Sequence, residues 1–92
     1  MKRFAYPAVF IKDSEMGVYR VFFPDLGLTT DGDFMEEAFL FAKSALKEYF
    51  LYVEKFDLDY NLPSDFELVK SSCKPDEVVM LIDAQIGWNK LK

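Results

Sequence analysis

Residues 34–56, "FMEEAFLFAKSALKEYFLYVEKF", constrain the fold more than any other stretch of this 92-residue chain. At about 100° per residue, Phe34, Met35, Ala38, Phe39, Phe41, Ala42, Ala45, Leu46, Tyr49, Phe50, Tyr52, Val53 and Phe56 fill one continuous arc of roughly 180°. Glu36, Glu37, Lys43, Ser44, Lys47, Glu48, Glu54 and Lys55 fill the other side. A segment so divided is a helix that must lie against an apolar surface. The arc is wider than the roughly 100° stripe needed for one surface, so part of it is left for a loop, a second subunit or another partner. Leu40 and Leu51 fall on the polar side, about three turns apart. Together with Trp88 they are the candidates for an oligomer contact, the alternative being isolated surface side chains or, for the tryptophan, a cover for the sheet edge.

The surface against which this helix packs is expected from strands. Residues 3–12, "RFAYPAVFIK", combine aromatic and β-branched side chains with alternation at Phe4, Tyr6, Ala8 and Phe10. Pro7 has no N–H to give to a ladder, which puts this strand at a sheet edge or turns that point to solvent. "DSEMG" then reads as a hairpin connection, "VYRVFF" (18–23) as the second strand stopped by Pro24, and Leu28 to Thr30 as a short third strand between Gly27 and Gly32. Residues 57–76 lose periodicity and read as a loop packed by Leu62, Phe66, Leu68 and Val69, with a short helical turn after Ser64. "EVVMLIDA" (77–84) is a fourth strand. The expected fold is α+β: a small antiparallel sheet with one long helix, in the order β-β-β-α-β. At this length a single domain over 1–92 is expected, with a core at about 3–84 and a short tail at 85–92.

Five carboxylates, Asp25, Asp31, Asp33, Glu36 and Glu37, crowd the passage from the second strand into the helix. Asp33 is placed to cap the helix, Glu36 to reach back from three residues on, and Glu37 to favour the positive end of the helix dipole. Asp25 and Asp31 are left over. Such a run could hold Mg²⁺, which takes oxygen ligands, and a metal-dependent hydrolase is the reading that would follow, but the spacing does not fit a calcium-binding EF-hand loop.

Other chemistry is narrowed by what the chain lacks. It has no histidine, so a Ser-His-Asp or Cys-His arrangement cannot be built from it alone. One cysteine, Cys73, permits no internal disulfide and no cysteine zinc site, and a lone loop thiol is given no role. No phosphate-cradling glycine motif occurs. Neither a metal nor a cofactor is expected, and the chain reads as a non-enzyme. Sixteen Asp and Glu against 11 Lys and Arg give a formal net charge of -5, which disfavours a nucleic-acid backbone and favours a basic protein partner. The N-terminal stretch meets Pro7, Lys12 and Asp13 too soon for a signal peptide, and no run of about 18 apolar residues could span a bilayer, so a cytoplasmic location is expected.

The motifs also resemble a family. "YPAVFIKDSEMGVYRVFFPDLGLTTDGDFMEEAFLFAKSALKEYF" is similar to the N-terminal domain of HicB-type antitoxins. The resemblance is carried by Tyr6, Pro7 and Ala8; by Gly17, Tyr19 and Val21; by Phe23, Pro24, Asp25 and Leu26; by Thr30, Gly32 and Asp33; and by Glu36, Glu37 and the alanines at 38, 42 and 45. "LPSDFE" resembles the family's Pro-Ser loop before its last strand, and the match covers most of residues 4–84 in order. It implies a truncated ribonuclease-H-like β-β-β-α-β domain. It further implies a binding module that silences a small basic HicA-type toxin, an RNA-cleaving protein, by masking its RNA-binding surface. Homo-oligomers are common in the family. On that resemblance, Tyr19, Asp25, Asp31 and Glu37 are the candidates for partner contact. The chain departs from the family pattern in having Gly27 after "DL" where Pro-Gly is usual. It also ends soon after Ala84, without the C-terminal DNA-binding segment of many members, so direct DNA binding is not expected. The alternative keeps the fold and drops the toxin: a stand-alone homo-oligomeric regulatory or RNA-associated domain.

Overall fold

A computed structural model describes residues 1–87. The elements run β1 (Lys2–Asp13), β2 (Val18–Phe23), β3 (Leu28–Gly32), α1 (Met35–Phe56), α2 (Phe66–Ser71) and β4 (Val78–Ile86). The expected α+β order holds, and the helical turn after Ser64 is α2. Every pair of neighbouring strands is antiparallel, in the order β3-β2-β1-β4.

Local chemistry sets the two hairpin turns. The Asp13 carboxylate accepts from the N–H groups of Glu15 and Met16, both at 3.1 Å, and Gly17 takes φ +70°, a left-handed conformation that suits glycine. At the second turn, Leu26 and Gly27 donate back to the Phe23 carbonyl, with Gly27 at φ +66°.

Contrary to both expectations from Pro7, β1 is not at an edge but flanked by β2 and β4, and Pro7 does not face solvent but is fully buried. The reason lies in the register. The β1–β2 ladder begins at Val9↔Phe22, whereas the β1–β4 ladder spans Lys2↔Ile86 to Phe10↔Val78. At Pro7 the strand is therefore paired on one side alone, and its missing N–H interrupts no ladder on the other.

Alternation sends Phe4, Tyr6, Ala8 and Phe10 of β1, Val21 and Phe23 of β2, and Ile82, Ala84 and Ile86 of β4 into one buried cluster. α1 meets it with Ala38, Ala42, Leu46, Phe50 and Val53. Small alanines at the first turns let the helix approach closely, and Phe50 fills the space further on. Its ring stacks on Phe4 at 3.8 Å between centroids, with Tyr49 and Tyr60 edge-on at 5.0 Å. Tyr60, and not Leu62 or Leu68, is the loop residue that packs on the core; those two leucines are 77% and 67% exposed. α2 sits on the opposite face, where Leu68 and Val69 with Val9, Ile11, Phe22 and Pro24 line an apolar groove of about 440 Å³.

The start of α1 also differs from expectation. The N-cap is Phe34, which makes no side-chain cap bond, and Asp33 lies one residue outside the helix. Glu37, not Glu36, reaches back: its Oε1 accepts from the Asp33 N–H at 2.7 Å. The shift follows from Gly32, where an added Cβ would lie 2.5 Å from the Ala38 nitrogen. So close an approach of β3 to the first helical turn fixes where the chain enters the helix.

Candidate interaction surface

The five carboxylates do not converge. Asp25 is held in a clasp: it accepts from the Ser64 N–H at 2.8 Å and from the Ser64 hydroxyl, while its own carbonyl accepts from the Asn61 side-chain amide at 2.9 Å. It ties the segment after α1 to the β2–β3 turn. Glu37 is half-buried and engaged at the helix start. Both therefore have structural partners, which a free docking residue would not need. Asp31, Asp33 and Glu36 are exposed, Asp31 on the edge strand β3 opposite Arg20. Among the described residues, no three Asp, Glu or Cys side chains come together in a way that could hold a metal ion.

Tyr19 belongs to β2, an inner strand, and not to an exposed edge. It is half-buried against the core, with Lys12 Nζ 5.8 Å from its ring centroid. Leu40 and Leu51 are exposed on α1, and Trp88 lies outside the described residues.

A different set of side chains forms the more prominent surface. Phe34, Phe41, Tyr52 and Phe56 are between 45% and 60% exposed. These are the residues by which the apolar arc exceeds the sheet. Phe41 and Tyr52 are eleven residues apart and Tyr52 and Phe56 four apart, so they share one flank of α1, and the Tyr52 and Phe56 rings lie 4.6 Å apart. The opposite flank faces β4, because Lys43, Ser44 and Lys47 line a groove with Asp83, Ala84 and Gln85. The aromatic flank is thus on the β3 side, where Asp31 and Asp33 are exposed at its N-terminal end. Exposed aromatics beside unpaired acids make a surface able to seat a partner with apolar anchors and cations around them. The width of the arc was the signal that could have named these residues from sequence.

Several cations are neutralised within the chain. Asp83 accepts from Lys43 at 3.1 Å and pairs with Arg3 at 3.0 Å, and these two, Lys43 first, hold its carboxyl below the usual range. Asp13 is lowered by the Met16 N–H and then by Arg20, whose Nε lies 3.0 Å away. Arg20, the cation opposite Asp31 on the neighbouring strand, is thus engaged by Asp13.

No helix among the described residues is long and apolar enough to cross a membrane. No family model matches the sequence, and no curated protein matches it. Among solved structures, the chain is similar to one in a toxin–antitoxin complex from Streptococcus pneumoniae, with a TM-score of 0.76 and 21% sequence identity over 91% of this chain and 70% of that one. At that identity the likeness is one of fold, and this α+β arrangement, a four-stranded antiparallel sheet under one long helix, is what the two proteins share.

Proposed function

We propose that this chain is an antitoxin of HicB type, which binds a small basic HicA-like ribonuclease and masks its RNA-binding surface in the cytoplasm. The observation that carries the reading is the flank of α1 where Phe34 and Phe41 stand exposed on the side of β3, which carries the exposed Asp31 and leads into the exposed Asp33. A cationic RNA-binding surface is complementary to it in charge, and the aromatics supply anchors that acids alone would lack. The net charge of -5 and the fold shared with a chain of a toxin–antitoxin complex support the same reading. In this role the chain contributes no catalytic residue; it inhibits by occupying a surface. Direct contact with operator DNA is no part of the role.

The test is co-expression with the product of the adjacent gene. A small basic protein should co-purify with this chain, and its RNA cleavage should be lost in the complex. The double variant F34A/F41A should release that protein and restore cleavage while keeping its own folded circular-dichroism spectrum. If no small basic neighbour binds, the proposal fails. If both aromatics can be removed without weakening the complex, the surface is misplaced.

A further inference from the structure

Between the β2–β3 turn, the later turns of α1 and the segment that follows lies a pocket of about 430 Å³, lined by residues 24–27 with Tyr49, Asp59, Tyr60 and Asn61. Its walls are braced by the rest of the fold. Tyr49 and Tyr60 both stand edge-on to the Phe50 ring at 5.0 Å between centroids, so the core fixes the two phenols. Asn61 is pinned twice: its carbonyl accepts from the Tyr6 hydroxyl at 2.6 Å, and its side-chain amide donates to the Asp25 carbonyl at 2.9 Å. Ser64 in turn donates to the Asp25 carboxylate through its N–H and its hydroxyl. A pocket held in this way has little freedom left to lose when it is filled.

The lining is rich in acceptors and poor in cations. It holds two carboxylates and two phenols, and neither lysine nor arginine. Elsewhere the chain meets its carboxylates with cations, Asp13 with Arg20 and Asp83 with Lys43 and Arg3. Asp59, by contrast, is exposed, and no hydrogen bond or ion pair among the described residues engages it. Lys2 donates to the Tyr60 hydroxyl at 3.4 Å, but it lines a separate cleft with Phe4, Leu62 and Pro63.

We propose that this pocket seats an arginine side chain presented by a basic protein partner. Two carboxylates draw a cation, and the tyrosine rings give a planar guanidinium something to stack on, which a compact, strongly hydrated ammonium cannot exploit as well. Asp59 spends none of its acceptor capacity within the described chain, so it is the direct partner, able to take two parallel N–H bonds from a guanidinium. Asp25, tied to Ser64, adds charge from the turn. Tyr49 comes three residues before Tyr52 on α1, so the pocket lies beside the aromatic flank and one partner can reach both. The identity of that partner rests on the antitoxin reading above; the preference of the pocket for a guanidinium does not.

The two are separated by titrating the chain with N-acetyl-arginine amide and following it by NMR. The ring protons of Tyr49 and Tyr60 and the amides of Asp59 and Asn61 should shift saturably, while those of Ser44 and Gln85 stay in place. The citrulline counterpart, which has the same shape without the charge, should give no saturable shift, and the lysine counterpart should bind more weakly than arginine. D59N should weaken the arginine probe roughly threefold or more, as loss of an exposed ion pair does, with an unchanged urea midpoint because Asp59 has no partner in the described fold. In the complex with a basic neighbour, the same variant should weaken binding by a similar factor. No saturable shift, an equal response to citrulline or lysine, or a D59N chain that binds the probe like wild type overturns the pocket, even where the basic protein still co-purifies. A probe that binds as described while no basic protein co-purifies upholds the pocket and sinks the antitoxin reading alone.

Discussion

Tyr6 shows how one side chain links the sheet to the segment that follows α1. Its ring is buried among Phe4, Phe10 and Phe50, while its hydroxyl donates to the Asn61 carbonyl at 2.6 Å. Burial pushes the phenol up to about 12, with nearby Tyr60 and Asp25 adding in the same direction. A folded pKa above the ordinary value near 10 means that the folded state holds the proton more tightly than the unfolded one. The associated stability is fully present below about pH 10 and is lost as pH rises through about 12. Alkaline titration by phenolate absorbance should therefore show one late tyrosine, and Tyr6→Phe should remove it and flatten the fall in stability over that window. At neutral pH the same variant should lose about 1 kcal/mol, the worth of the bond to Asn61. If Tyr6 ionises along with the exposed tyrosines, the burial argument is wrong.

At the scale of elements, the decisive join is β3 to α1. Gly32 is buried, and a Cβ there would meet the Ala38 nitrogen at 2.5 Å and its Cα at 2.8 Å, both backbone atoms that can move only with the helix. Gly32→Ala should therefore destabilise the fold by about 1–3 kcal/mol in urea unfolding, as overpacking does elsewhere. Gly27→Ala is strained by its φ of +66° alone, with nothing within 4 Å of the added carbon. An unaffected Gly32→Ala would show that the helix is not pinned there. The same join marks the limit of what the sequence disclosed. Hydrophobic period sufficed for α1, for the strands and for most of the core, because burial repeats with the geometry of each element. Helix entry was displaced by one residue, from Asp33 to Phe34, because tertiary contact at Gly32 overrides the capping preference of an aspartate. Pro7 suggested an edge, since sequence shows a missing donor but not where the neighbouring ladder starts. Asp25 looked free because its partner, Ser64, is 39 residues away. Of the candidate contact residues, Asp31 is exposed, while Tyr19 and Glu37 are largely spent on packing and helix entry.

For the whole molecule, the arrangement divides labour between charge and aromatic area. Arg20, opposite Asp31, is held by Asp13, and the formal charge of -5 leaves a field that favours a basic protein. Such a field acts before contact, whereas Phe34 and Phe41 act after it. The proposed complex should therefore respond differently to the two kinds of change. Asp31→Asn with Asp33→Asn should slow association with the basic toxin and weaken the dependence of that rate on ionic strength, leaving dissociation nearly unchanged. Phe41→Ala, which removes half-exposed area without altering charge, should leave association within about twofold and speed dissociation by roughly tenfold or more, as loss of an aromatic anchor does. Stopped-flow mixing at low and high salt separates the two. If the neutralised acids alter dissociation alone, the carboxylates are direct contacts and not steering charges, and the division of labour between β3 and α1 does not hold.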